Sequence, residues 1–127
     1  MRINHIAVYV RDLETARDYY EKYFNGVANT QYHNPKTGLK TYFISFDNGC
    51  RIELMAKPGV EANENAEEHT GYTHLAFSVG DKESVDNLTN QLRNDGYRVY
   101  SEPRTTGDGY YESCVSDPDG NRIEIVE

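Results

Sequence analysis

No run of apolar residues in this chain exceeds a few positions, so nothing in it is long enough to cross a bilayer as a helix. Cysteine is scarce. Cys50 and Cys114 are the only two, they form no CxxC pair, and two thiols are too few for a disulfide framework; the expectation is a pair of reduced core thiols. Basic charge is also short, with 13 Lys and Arg against 21 Asp and Glu. The resulting net charge of −8, with the cations scattered, excludes nucleic acid and anionic membrane surfaces as natural partners. A basic, apolar leader is missing as well, and the chain opens on Met1, so the sequence predicts a cytoplasmic location.

What is present fits one soluble domain. The 127 residues are 37% apolar and 27% charged, enough to build a core and keep it dissolved. Within them a hexapeptide occurs almost twice, GCRIEL at Gly49–Leu54 and GNRIEI at Gly120–Ile125, with Glu53 and Glu124 in the same slot. The repeat extends outward. His5 recurs as His74, 69 positions on; Gly26 recurs as Gly96, 70 on; Glu53 recurs as Glu124, 71 on. So slow a drift is what one or two loop insertions between duplicated units produce.

Each unit reads as strand, helix, then three strands. INHIAVYV alternates with Ile6, Val8 and Val10 on one face. Asp12 is a natural N-cap, Leu13, Ala16, Tyr20 and Tyr23 form a helical stripe, and Asn25-Gly26 ends the helix. The second unit repeats this with Leu75, Phe77 and Val79, then cap Asp81, stripe Val85, Leu88 and Leu92, and stop Gly96. Later strands are expected at 28–32, 41–46 and 51–56, and at 98–101, 110–116 and 122–127. The fold class is therefore α+β, a tandem βαβββ pair in a single domain over 1–127. Module 1 covers about 1–57, a polar linker about 58–71, and module 2 about 72–127. His33 and His69 fall in polar loops.

Alternation also says which way polar residues point. If Ile6, Val8, Ile52 and Leu54 face one helix, and Leu75, Phe77, Ile123 and Ile125 the other, then His5, Glu53, His74 and Glu124 all emerge on the opposite side. Should the sheets curl that way, two imidazoles and two carboxylates converge. Two carboxylates ~5 Å apart at an effective dielectric of ~20 repel by roughly 3 kcal/mol. A shared proton or a divalent ion relieves this, and imidazole nitrogen suits Ni²⁺, Co²⁺, Zn²⁺ or Fe²⁺ better than Mg²⁺.

The stretches HIAVYVRDLETARDYYEKYF, RIELM, GYTHLAFSV and above all DPDGNRIEI resemble the vicinal oxygen chelate superfamily, which holds the glyoxalases, bleomycin-resistance proteins and ring-cleaving dioxygenases. Within it the chain is most similar to short bacterial proteins of glyoxalase I type. The resemblance implies sheets curled around a metal cavity, ligands at His5, Glu53, His74 and Glu124, one divalent metal per site with Ni or Co favoured and Zn possible, and a homodimer. It further implies lyase or isomerase chemistry on the hemithioacetal of methylglyoxal or a related 2-oxoaldehyde, a small-molecule substrate. The catalytic base falls on Glu124, with Glu53 flanking the opposite side.

Around that set, Tyr9, Lys57, Arg104 and Tyr111 are the candidate substrate contacts. The glutathione-dependent enzymes carry Arg and Asn four residues after the first and second ligands; Tyr9 and Lys57 stand there instead, which weighs against glutathione as the thiol. Alternatives are a non-enzymatic bleomycin-type drug-binding protein, a fosfomycin-type thiol transferase, a ring-cleaving dioxygenase, or an epimerase acting beside a thioester carbonyl.

Overall fold

The computed structural model describes residues 3–61 and 71–127. It forms two compact units, Met1–Glu64 and Asn65–Glu127. Unit 1 runs β1 (Ile6–Tyr9), α1 (Leu13–Phe24), β2 (Val27–Ala28), β3 (Tyr32–His33), β4 (Lys40–Ser45) and β5 (Arg51–Ala56). Its strand order is β1-β5-β4-β2, with β3 also on β4; only the β1–β5 pair is parallel. Unit 2 runs β6 (His74–Ser78), α2 (Lys82–Asn94), β7 (Val99–Thr105), β8 (Tyr111–Ser116) and β9 (Arg122–Val126), ordered β6-β9-β8-β7, with β6–β9 again the parallel pair. The expected α+β architecture of two helices and two mixed sheets is what forms.

The helices begin where their caps require. The Asp12 carboxylate accepts from the Thr15 backbone N–H and Asp81 accepts from that of Ser84, both at 2.7 Å. Asn25 takes the left-handed conformation at φ 53°, and the Gly26 N–H closes the end onto the Tyr20 carbonyl at 3.1 Å. A Cβ on Gly26 would stand 2.4 Å from Ile44 Cγ2, so close packing demands glycine there.

The core sits between each helix and its own sheet. In unit 1, α1 buries Leu13, Ala16, Tyr20 and Tyr23 as expected, and Tyr19 and Phe24 besides, against Ile44, Ile52 and Leu54. In unit 2, α2 lays Val85 and Leu92 on Val115, Ile123 and Ile125. Leu88 is only half-buried; the third buried position is Thr89. Its hydroxyl is satisfied without water, donating to the Val85 carbonyl at 2.6 Å and sharing a 2.6 Å bond with Ser113 Oγ. Each fully buried aliphatic side chain is worth about 1.5–3 kcal/mol, which makes these faces the source of each unit's stability.

Several expectations need correction. The strand expected over 28–32 breaks into β2 and β3, because Asn29 substitutes its side chain for backbone: its N–H donates to the Phe43 carbonyl at 3.0 Å and its Oδ1 accepts from the Phe43 N–H at 2.8 Å. His33 lies in β3, not in a loop. The strand expected over 98–101 runs on to Thr105 with two register shifts, tolerated because β7 is an edge and Pro103 has no N–H to pair. Cys50 is exposed in the β4–β5 turn rather than in the core, while Cys114 is half-buried; both thiols are free. His69 and most of the expected linker lie outside the described residues.

Two half-sites of histidine and glutamate

The β8–β9 turn shows how local sequence sets the position of a candidate ligand. In DPDGN the buried Asp117 carboxylate accepts from the Asp119 and Asn121 N–H groups at 2.9 and 2.8 Å and from Asn121 Nδ2 at 2.8 Å. Gly120, at φ 86°, completes the bend. Burial pushes the Asp117 carboxyl up, opposed by those hydrogen bonds, which favour its charged form. The clamp fixes where β9 begins and so where Glu124, two residues further on, projects.

In unit 2, His74 stands beside Arg122 and Ala76 beside Glu124 in the parallel β6–β9 ladder. Because Ile123 and Ile125 turn to the helix, Glu124 turns away from it, onto the side where His74 waits. His74 Nε2 lies 3.1 Å from Glu124 Oε2. Burial raises the Glu124 carboxyl above the usual range and Glu112 and Asp108 add to this, while His74 and Arg104 oppose it.

Unit 1 repeats the construction. His5 precedes β1, Glu53 lies on β5 between the buried Ile52 and Leu54, and His5 Nε2 is 3.4 Å from Glu53 Oε2. Here the ring's proton can be placed. Asn4 Oδ1 accepts from the Arg51 guanidinium, so it is an acceptor toward His5 Nδ1, 2.9 Å away, and Nδ1 must carry the hydrogen. The neutral ring therefore aims the bare Nε2 lone pair at a carboxylate. Two electron-rich groups so placed call for a cation between them, either a proton on Nε2 or a metal ion.

A metal fits the spacing. Two donors each ~2.1 Å from one ion and at right angles stand about 3.0 Å apart, close to the 3.1 and 3.4 Å of the two pairs. Each pair supplies only two donors, and among the described residues no group of three or more His, Cys, Asp or Glu is placed to hold an ion. Each unit thus brings together one imidazole and one carboxylate as a candidate donor pair.

The surroundings of the half-sites differ. His5 meets the edge of Phe43 at 5.1 Å, and Arg51 stacks on the same ring at 4.9 Å. In unit 2 the residue paired with Glu124 across the ladder is Cys114, whose thiol is raised first by burial and then by Glu124. A cavity of about 390 Å³ opens there, and His74, Glu124, Arg98, Arg104 and Arg122 all line it. A second depression of about 420 Å³ in unit 1 is lined by Arg11, His33, Lys40 and Lys57.

Of the four candidate substrate contacts, the structure sets Arg104 beside His74 and Glu124. Lys57 lines the unit 1 depression, with its ammonium 5.7 Å from the centre of the exposed Tyr9 ring. Tyr111 goes elsewhere. It shares the helix face with Ser113, and its hydroxyl donates to Asp86 of α2 at 2.8 Å, which raises its pKa. Arg98, Tyr100, Glu112 and Cys114 were missed; counting alternate residues back from Glu124 through its partner Cys114 finds Glu112, but the edge-strand arginine needs the β7–β8 register.

Comparison with known proteins places the chain. Residues 2–125 match the family model described as the Glyoxalase/Bleomycin resistance protein/Dioxygenase superfamily. The uncharacterized protein YqjT of Bacillus subtilis is 30% identical over 127 residues, 98% of this chain and 97% of that protein. Lactoylglutathione lyase of Escherichia coli O157:H7 is 28% identical over 131 residues, covering 100% of this chain and 93% of the enzyme. Among solved structures, a glyoxalase family protein from Bacillus cereus superposes with a TM-score of 0.86 at 17% identity, over 100% of this chain and 93% of the other.

Proposed function

We propose, because the chain belongs to the glyoxalase/bleomycin resistance protein/dioxygenase superfamily and carries both histidine–glutamate half-sites, that it is a metal-dependent lyase or isomerase of glyoxalase I type. Members of this superfamily typically bind a divalent metal and act on small molecules. The observation that carries the reading is the pair of Nε2–carboxylate gaps, 3.4 and 3.1 Å, each the span of two donors on one ion. One half-site of each kind, from one chain or from two in a homodimer, makes a centre of His5, Glu53, His74 and Glu124. The two units then act as one functional domain. Two nitrogens and two carboxylates favour Ni²⁺ or Co²⁺, with Zn²⁺ next.

The substrate is the hemithioacetal that a thiol forms with methylglyoxal or a related 2-oxoaldehyde. The ion, when bound, supplies Lewis-acid polarisation of the substrate's two neighbouring oxygens. Glu124 takes the proton from the sulfur-bearing carbon, and the electron pair moves into the adjacent carbonyl to give an enediolate. Glu124 then returns the proton to the neighbouring carbon while the hydroxyl proton of the sulfur-bearing carbon passes to the neighbouring oxygen, leaving a 2-hydroxyacyl thioester with no net gain or loss of atoms. Partial burial suits this role, since a carboxylate short of water is a stronger base than an exposed one. Glu53 flanks the opposite side, and the imidazoles of His5 and His74 hold their nitrogens toward the centre.

The reading of a bleomycin-type binder of cationic drugs is less well supported. The acidic chain suits it, but a binder of that kind has no need of the two histidine–glutamate pairs that this chain keeps. The test is an assay of methylglyoxal with several thiols on Ni²⁺-loaded protein, wild type against Glu124→Gln. Turnover that falls by about 10²-fold or more is the expected result. Full activity in the variant, or none in the wild type with any thiol, contradicts the proposal.

A further inference from the structure

The duplication provides an internal comparison. In the register of the two sheets, Val99 beside Val115 corresponds to Ala28 beside Ile44, so the place of Arg98 in unit 2 is held by Val27 in unit 1. Likewise Cys114 beside Glu124 corresponds to Phe43 beside Glu53, and Glu112 to Thr41. The fold itself therefore asks for no charge at these positions. Unit 1 surrounds its pair with an aromatic ring, a threonine and one guanidinium, Arg51, the counterpart of Arg122; unit 2 adds two more, Arg98 and Arg104.

Those guanidiniums are held in place rather than scattered. Arg98 and Arg122 lie over the Tyr100 ring at 4.7 and 5.5 Å from its centre, and the Tyr100 hydroxyl is anchored by donating to the Gly120 carbonyl at 2.9 Å. Arg104 donates to Ser101 Oγ, a neutral partner. Among the described residues neither Arg98 nor Arg104 makes an ion pair. Three cations share the cavity with two carboxylates, Glu112 and Glu124. A planar guanidinium stacked on a ring keeps its N–H edge free for a two-pronged contact with an oxyanion.

We propose that the unit 2 cavity is an oxyanion subsite, in which Arg98 and Arg104 bind a carboxylate or phosphate carried by the substrate while the reacting atoms sit at His74 and Glu124. Arg122, the third guanidinium lining the cavity, adds charge. The proposal deepens the lyase reading and rests on it for the placement of the reacting atoms, though not for the anion contact itself. It makes the natural thiol or aldehyde an acid rather than a neutral compound.

Two measurements test it. The first compares methylglyoxal hemithioacetals of 2-mercaptoethanol and of mercaptosuccinate on Ni²⁺-loaded protein. The expected result is a preference of about tenfold or more in kcat/KM for the carboxylate-bearing thiol, expressed in KM, that falls toward one in Arg98→Met/Arg104→Met. The second is calorimetric titration of the metal-free protein with succinate and with inorganic phosphate at low salt. Wild type is expected to bind at least one of them at least tenfold more tightly than the double variant, with affinity lost as salt is added, and the tighter of the two names the group. Equal titrations in wild type and variant, or no binding of either anion, overturn the proposal whatever the kinetics give. Anion binding in a protein that turns over neither hemithioacetal keeps the subsite and removes the lyase reading.

Discussion

Replacing Asn4 by alanine changes no candidate ligand, yet the geometry says it weakens metal binding. In the structure Asn4 Oδ1 accepts a hydrogen bond from His5 Nδ1 at 2.9 Å and also accepts from the Arg51 guanidinium. Without that acceptor, nothing described opposes the other tautomer, in which Nε2 carries the proton and cannot ligate. The ring is also freer to rotate. A neutral hydrogen bond of this kind is worth about 0.5–1.5 kcal/mol, and loss of such an outer partner typically costs about 10–100-fold in metal affinity. The His5 side chain is 35% exposed, and water can replace part of what Asn4 supplied, so the low end applies: about tenfold, or about 1.4 kcal/mol. Calorimetric titration with Ni²⁺, wild type against Asn4→Ala and His5→Ala, reads this directly. His5→Ala must be the weaker of the two variants. Unchanged affinity in Asn4→Ala alongside a large loss in His5→Ala would refute the tautomer argument, and unchanged affinity in both would remove His5 from the centre.

Three further outcomes follow from the same geometry. Thr89→Val leaves the Ser113 hydroxyl unsatisfied in the core and should cost about 1–3 kcal/mol by urea unfolding, with most of it recovered in Thr89→Val/Ser113→Ala. Tyr111→Phe should leave KM and kcat for any hemithioacetal unchanged, because its hydroxyl meets Asp86 on the helix side; a raised KM would return Tyr111 to the pocket. Iodoacetamide followed by mass spectrometry should alkylate exposed Cys50 well before Cys114. Burial raises the Cys114 thiol, so its thiolate fraction, and with it the alkylation rate, grows only at more alkaline pH than for an ordinary cysteine.

Much of the fold was legible in the sequence because its signals are local. The Asp12 and Asp81 caps, the Gly26 and Gly96 stops, and the RIEL and RIEI alternation each act over a few residues, and the structure realises them. The facing of Glu53 and Glu124 was legible for the same reason: strand parity alone sends them away from the helices. Parity also accounts for the failures. Tyr111 is two residues from Ser113 and so belongs on the helix side, a count that its choice as a substrate contact beside Arg104 passes over. The break after β2 comes from one asparagine side chain entering the ladder, which no periodicity announces. Arg98 was hidden differently, since it shares a cavity with Glu124 only through the pairing of β7 with β8, whose partners lie far along the chain. Cys50 looked like a core thiol by residue type, but the NG turn at Asn48-Gly49 carries it to the surface, with Asn48 Oδ1 accepting from its N–H.

The central claim is that two histidine–glutamate halves hold one ion, and X-ray absorption at the nickel edge of Ni²⁺-loaded protein tests it most directly. The account predicts a shell of nitrogen and oxygen donors at about 2.1 Å, with outer-shell scattering from two imidazole rings per ion that drops to one in His74→Ala. Sulfur in the shell, a single ring in the wild type, or a spectrum unmoved by that substitution would contradict it.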